Sequence, residues 1–318
     1  MKSLMHSVCG LLIALAVPGA TAQDFPSKPV RLVVASAPGI SPDIVGRLFA
    51  NDFTKLIGQP VIVENRPGAN QVIGFEYVAK QSVPDGYTLL LTDVSGVALL
   101  PLISKGLRFD PLKDIAPVIG LVDGRLFLAT GAGQPWKSVT ELVSAIRANP
   151  GKYNYGASAS ANRFPTEAFV RGGNLEVTHI AYTSGAAYLL ALIGGTVQMG
   201  TVAEGSIASS AEKLRALAVT GEQRHPTYKD VPTFAETGNG AIPGLTYALN
   251  VPLGTPEAVT AKLHAAASRT LQQPETKARF ERAQWQVVER GPDVIAKMVQ
   301  DQNRFFGDIA RKAGIQPE

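Results

Sequence analysis

Beyond the first two dozen residues, the chain carries little of the usual equipment for bond chemistry. Three histidines, His179, His225 and His264, fall at spacings that match no metal-ligand pattern. His179 reads as a strand residue, His225 stands beside Pro226, and His264 lies in a helical stretch; lone histidines of this kind are ordinarily structural or surface groups. No G-x-S-x-G elbow, no G-x-x-x-x-G-K-S/T loop and no G-x-G-x-x-G after a strand is present. No spacing flags a working pair of carboxylates. No catalytic residue, no metal site and no cofactor is therefore expected.

What remains is the chemistry of holding. Ser36-Ala37-Pro38-Gly39-Ile40-Ser41-Pro42-Asp43 leaves a β-branched run, turns at Pro-Gly and enters a helix. With Ser41 as N-cap, Pro42 at the first helical position and Asp43 in the first turn, this junction would aim backbone N–H groups and the positive dipole end at one spot. That spot suits a carboxylate. Two further small, polar stretches are Ser158-Ala159-Ser160-Ala161-Asn162 and Ala181-Tyr182-Thr183-Ser184-Gly185, the second just ahead of a helix. Loops like these line clefts between α/β lobes. Plain surface loops have the same composition, and the residues alone leave both readings open.

The elements that must position these loops alternate along the chain. Strands are expected at Val30–Ala35, Val61–Val63, Thr88–Leu91, Ile115–Val122, Leu126–Ala129, Val177–Ile180, Thr196–Val202, Leu214–Val219 and Trp285–Val288. Helices are expected from Ser41 to Gly58, after the Ser138/Glu141 capping box, over Ala186–Ile193, after Thr255-Pro256 and over Pro292–Ala313. Strands separated by helices argue for an α/β architecture with mostly parallel sheets. The length of 318 residues suits two domains, yet no Gly/Ser tether divides them.

Composition narrows the function. Hydrophobic residues at 45% and charged residues at 18% allow a sizeable core and exclude global disorder. Thirty Lys and Arg are mixed with 26 Asp and Glu without a basic block, so nucleic-acid binding is not suggested despite a pI near 9.1. Met1–Ala22 reads as a cleaved secretory leader: Lys2 supplies the positive start, Cys9–Val17 the apolar run, and Ala20-Thr21-Ala22 the cleavage signal. Its removal takes the formal charge from +4 to +3 and the cysteines from one to none. The mature chain must then be held by its core alone, without disulfides.

Several blocks go further. Phe25–Arg31 (FPSKPVR), Gly58–Ala69 (GQPVIVENRPGA), Pro84–Leu91 (PDGYTLLL), Phe109–Val118 (FDPLKDIAPV), Leu214–Thr220 (LRALAVT), Asp230–Glu236 (DVPTFAE) and Gly254-Thr255-Pro256 occur in this order. In these blocks, and over essentially the whole mature chain, the sequence resembles the Bug-type (TctC-like) receptors of tripartite tricarboxylate transporters. The resemblance implies a two-lobed, type II-like periplasmic binding protein. Its two mixed sheets, mostly parallel, would carry helices on both faces, with a ligand cleft between the lobes. It implies lobe 1 at 23–123 and 245–318, lobe 2 at 124–244, and a periplasmic location after loss of residues 1–22. The implied ligand is a small carboxylate: a dicarboxylate, tricarboxylate, amino acid or aromatic acid. The implied partner is the membrane permease of such a transporter, and the receptor is expected to act as a monomer.

Carried over by position, the ligand contacts would be Ala37, Pro38, Gly39, Ile40, Ser41 and Asp43 in the first loop, and Asp93 and Ser95 in the second. From lobe 2 would come Ser158, Ser160, Asn162, Tyr182, Thr183, Ser184, Gly185, Ala203 and Glu204. Asn65–Ala69 would be a structural loop beside the site. Contacts through loop N–H groups and waters, rather than an arginine clamp, are what the resemblance implies. The cleft blocks depart from the family pattern: Ile40 stands where a second glycine is usual, and Thr183 where a lysine is usual. A changed ligand, with an apolar part against Ile40, would fit, and Asp93 could instead meet an ammonium group. A receptor that presents its ligand to a membrane sensor, or an enzyme using Asp93 and Glu204 on the same scaffold, are the other readings.

Overall fold

A computed structural model describes residues 25–317, so the expected leader lies outside the described residues. The first part of the chain forms β1 (Val30–Val34), α1 (Ser41–Ile57), β2 (Val61–Asn65), α2 (Val72–Glu76), β3 (Thr88–Asp93), α3 (Val94–Ile103) and β4 (Ile115–Gly124). The middle forms β5 (Leu126–Gly131), α4 (Val139–Ala148), β6 (Tyr153–Ala157), α5 (Ser160–Gly172), β7 (Val177–Ala181), α6 (Gly185–Ile193), β8 (Gly200–Ala203), α7 (Glu204–Ser209) and β9 (Leu214–Val219). The last part returns with β10 (Leu245–Pro252), α8 (Glu257–Gln272), α9 (Pro274–Arg282), β11 (Gln286–Arg290) and α10 (Pro292–Ala313).

One lobe is built on a six-stranded sheet in the order β11-β4-β10-β3-β1-β2. The other has β8-β5-β9 and the pair β6-β7, which Tyr155 of β6 joins to Met199 beside β8 through a parallel bridge. The fold is two-lobed α/β with mixed sheets, as expected. The mostly parallel pairing is found only in β2-β1-β3 and β6-β7. β10 pairs antiparallel with both β3 and β4, and β5 antiparallel with both β8 and β9. The reason is topological: β10 brings the chain back from the second lobe, against the direction of the strands it joins.

The period of two along β1 explains why it is buried on both faces. Val30, Leu32 and Val34 feed a core with Phe49 and Phe53 of α1 and Leu263 of α8, while Val33 feeds the opposite core with Phe75, Val97 and Leu100. Gly58 closes α1 in the left-handed conformation (φ 79°), its N–H donating to Thr54 O at 3.2 Å, which only glycine does without a Cβ penalty. The second lobe packs Trp136, Leu142, Phe164 and Phe169 together with Phe306 and Ile309 of α10. At its start, α10 packs Ile295 against Val94 and Ala248 of the first lobe. This last helix therefore runs from one core to the other.

Several elements carry no clear sequence signal. α3 (VSGVALLPLI) is apolar on nearly every side and contains Pro101, so it shows no amphipathic stripe. α5 contains Pro165, which reads as a breaker yet lies buried inside the helix. β10 is buried throughout, a pattern that periodicity cannot separate from a core helix. Thr255, read as an N-cap, donates to Pro252 O at 2.8 Å, and Pro256 flanks α8 in its place.

The junction of β6 and β8 depends on missing side chains. A Cβ on Gly200 would lie 2.2 Å from Tyr188 Oη and 2.6 Å from the Gly156 carbonyl. Tyr188 cannot swing away without losing its 3.0 Å hydrogen bond to Thr201 O. Gly200→Ala is expected to cost about 2 kcal/mol in urea unfolding, the usual scale of overpacking. A loss below about 0.5 kcal/mol would show that this junction repacks freely.

Candidate functional site

The first-lobe loop folds differently from its sequence reading. Ile40, not Ser41, is the N-cap of α1, and it offers no side-chain acceptor. Ser41 is already helical. Ala37 to Ile40 are exposed, and Gly39 holds φ 82° to make the turn. Asp43 turns back into this loop and is 3% exposed. Its Oδ2 accepts from Gly39 N–H at 2.8 Å and Arg47 Nε at 3.0 Å, and its Oδ1 accepts from Asn65 Nδ2 at 2.9 Å. Burial pushes the Asp43 carboxyl up, but the bonds from Arg47, Gly39 and Asn65 outweigh it and hold its pKa below the ordinary value. Asp43 therefore braces the loop from inside, and the Gly39 N–H expected to meet a ligand is spent on it. Asn65 also donates to Ser36 O at 3.1 Å, which makes the block after β2 a structural support for this loop.

Asp93 and Ser95 are likewise turned inward. Asp93 caps α3, its Oδ1 accepting from Gly96 N–H at 2.7 Å. Burial dominates its titration and raises its pKa despite those bonds. An acid buried and already engaged as a helix cap is a poor partner for an ammonium group. Ser95 donates to Gln302 Oε1 of α10 at 2.9 Å, inside the core.

The second-lobe loops come together around a cavity of about 210 Å³. Ser158 and Ser160, at the start of α5, line it with Tyr182 after β7. Asn162 accepts from the N–H groups of Ser158 (3.3 Å) and Ala159 (3.0 Å), so it shapes the loop rather than reaching out. Ser184 caps α6 by accepting from Ala187 N–H at 3.2 Å. Thr183, Ser184 and Gly185 are exposed.

Three lining residues had no sequence signal as ligand contacts. Arg163 faces the cavity from α5, His179 from β7, and Asn70 from the first lobe across the gap. Arg163 Nε and His179 Nε2 are buried without a hydrogen-bond partner. Burial, then the nearby Arg163 charge, lower the His179 pKa, so its imidazole is neutral at pH 7. Asn70 sits in a run of three non-glycine residues with left-handed φ: Ala69 46°, Asn70 52° and Gln71 79°. Such a run is sterically unfavourable and persists only where its surroundings impose it. Asn70 and Ser160 also line an adjoining space of about 20 Å³ that reaches Asp93.

Ala203 and Glu204 lie elsewhere. With Ser41 and Ile44 of α1, Arg125 and Trp285, they line a second interlobe cavity of about 360 Å³. Glu204 is 6% exposed, and neither of its oxygens has a hydrogen-bond partner of good geometry, although His225 Nε2 lies 3.0 Å from Oε1. Burial, opposed only in part by Arg125, pushes the Glu204 carboxyl up to about 7. A larger space of about 560 Å³ by the crossing strands holds none of the expected contacts. Its Asp123 is already clamped by both terminal nitrogens of Arg290, one at 2.7 Å, and by Thr246. Among the described residues, no cluster of three or more His, Asp or Glu could hold a metal ion, and no helix is long and apolar enough to cross a membrane.

A family model described as "Tripartite tricarboxylate transporter family receptor" matches residues 45–315. A UPF0065 protein of Bordetella bronchiseptica is 34% identical over 313 residues, covering 96% of this chain and 92% of that protein. Among solved structures, an R. palustris protein with adipate is similar with a TM-score of 0.80 at 28% identity, covering 93% of this chain and 100% of that one. MatC from Rhodopseudomonas palustris, with bound malate, has a TM-score of 0.75 at 29% identity, covering 90% of this chain and 99% of that one.

Proposed function

The chain belongs to the tripartite tricarboxylate transporter receptor family, and from that premise we propose that it captures a small carboxylate between its lobes and delivers it to a membrane permease of that transporter type. It is a periplasmic solute-binding receptor of this family. The observation that carries the ligand class is the 210 Å³ cavity, where Asn70 of one lobe faces Ser158, Ser160 and Tyr182 of the other beside Arg163, which shares the Glu167 carboxylate with Arg171. A site of this size suits a small acid better than a drug-sized molecule. The related receptors solved with adipate and with malate support the same class.

In this reading the lobes divide at residues 123/124 and 244/245, where Gly124 and Leu245 pair side by side in the crossing strands. Closure is a hinge at these strands, and it presents a joined surface to the permease. The receptor works as a monomer exported by its leader, and it returns its ligand unchanged, as a carrier and not an enzyme.

The test is thermal unfolding of the refolded mature protein with malate, succinate, adipate, citrate, glutamate and benzoate. A ligand at 100 times its Kd adds about 2.7 kcal/mol, which raises the melting temperature of a chain this size by roughly 5 °C. The bound acid should be recovered with its mass unaltered. A folded protein whose melting point moves with none of these acids would overturn the ligand class, and conversion of the acid would overturn the carrier role.

A further inference from the structure

We propose that Glu204 is a proton-operated latch between the lobes: with its proton it lets them close, and without it it favours their opening, so that ligand is held in acid and let go as pH rises. This regulates the receptor site and rests on the receptor reading above. Glu204 opens α7 on the second lobe, and both of its oxygens are cut off from water with no hydrogen-bond partner. The cavity beside it is walled on its far side by the first lobe, through Ser41 and Ile44 of α1 and through Gln284 and Trp285 between α9 and β11. The lobes also meet here directly. The Gln284 side chain lies within hydrogen-bonding reach of the hydroxyl of Tyr228, whose ring packs on His225. Gln284 reaches it from a left-handed backbone, φ 63°, which a non-glycine residue keeps only where its surroundings impose it.

The groups around Glu204 leave its charge poorly compensated. Arg125 supplies the opposing charge, but its Nη1 lies against Gly221 and Gly244, where a Cβ would come within 2.5 and 3.0 Å of it. His225 Nε2 is 3.0 Å from Oε1, yet Thr227 N–H donates to its Nδ1 at 3.1 Å, and burial, then Arg125, lower its pKa, so the ring is neutral at pH 7. Burial keeps the Tyr228 hydroxyl protonated. Arg215 of β9, which packs against α7, is spent on the carbonyls of Ala132, Gln134 and Trp136. β5, β8, the rest of α7 and the first-lobe wall of the cavity carry no ionisable side chain. Burial therefore outweighs Arg125 and raises the Glu204 carboxyl to about 7. Parting the lobes removes the far wall and admits water, which favours the ionised carboxyl far more than the neutral one. Closure then takes up a proton, and ionisation opposes it.

The experiment is calorimetric titration of malate, or of the acid of the unfolding panel that binds tightest, into the wild type, Glu204→Gln and His225→Gln at pH 5.5 and 8.5. The ratio of wild-type to variant affinity removes the titration of the acid itself. The wild type and Glu204→Gln should bind alike at pH 5.5. At pH 8.5 Glu204→Gln should bind about 10-fold tighter, the scale expected when opening relieves part of the burial that lifts the carboxyl from 4.5 to about 7. His225→Gln should keep the pH dependence of the wild type. A ratio of wild type to Glu204→Gln that stays constant within about twofold overturns the latch and leaves the receptor reading standing. Loss of the pH dependence in His225→Gln overturns the assignment to Glu204. If no acid of the panel binds, the receptor reading fails and the latch is tested without ligand. Trp136 and Trp285 are the two tryptophans, so a Trp136→Phe chain reports on Trp285 in the cavity wall. Acrylamide quenching of Trp285 should rise from pH 5.5 to 8.5, and should stay level when Glu204→Gln is added. Quenching that does not change with pH overturns the latch.

Discussion

Glu204→Gln is expected to stabilise the folded chain by about 3 kcal/mol at pH 8 and by almost nothing at pH 4. The carboxyl of Glu204 titrates near 7 in the folded chain against 4.5 when unfolded, because burial opposes its charge and Arg125 only partly compensates. The direction follows from which state holds the proton. Below 4.5 both states are protonated, and the group costs nothing. Between 4.5 and 7 the folded chain keeps a proton that the unfolded chain gives up, so stability falls as pH rises. Above 7 the full cost is present, and glutamine abolishes it. His225, 3.0 Å away, works in the opposite direction. Its pKa is lowered by burial and then by Arg125, so it takes stability away as pH falls below 6.5. Comparing wild type and variant at each pH cancels most of that histidine term. Urea unfolding at pH 4, 6 and 8 measures the difference. Coincident curves at pH 8 would mean that the Glu204 carboxylate has a compensating partner in solution. An acid kept at such a cost in an interlobe cavity is what a functional position looks like.

Asp43→Ala is the second large effect, and it runs the other way. The substitution should remove about 3 kcal/mol, because it strands the Gly39 N–H and the Asn65 amide and leaves Arg47 without its buried partner. The exposed half of Arg47 recovers hydration, which keeps the loss below that of a fully buried pair. Asp43→Asn keeps the shape without the charge and should lose about half as much. Since the folded pKa of Asp43 lies below its unfolded value, its contribution is complete above pH 3.8 and is lost as pH falls through the folded value. Denaturant unfolding at pH 7 and pH 3 should therefore show the wild type approaching Asp43→Asn at the lower pH. A loss under 0.5 kcal/mol at pH 7 would show that the loop from Ala37 to Ile40 is held by something else.

The two carboxylates also mark where sequence reading stops. Asp43 and Glu204 both stand in the first turn of a helix that follows a strand, and both read as ligand contacts. In three dimensions one accepts several well-formed hydrogen bonds and the other accepts none of good geometry. The difference comes from Asn65, Arg47, Arg125 and His225, most of them far away in the chain.

What the sequence determined by itself is local. The apolar run of β1, the Gly58 stop, the Ser138 cap and the boundaries of β9 and α10 depend on neighbours a few residues away, so they are legible in one dimension. The family blocks are legible for the same reason, since turns such as Pro84-Asp85-Gly86 encode their own geometry. Only the tertiary structure decided the candidate site. Asn70, Arg163 and His179 come from a strained turn, a helix and a strand, and they meet because α5 and β7 pack beside one another while the crossing strands bring the other lobe opposite. Whether a polar group is available to a ligand depends on which donors and acceptors folding has already brought to it. That is a property of long-range packing, and no local pattern records it.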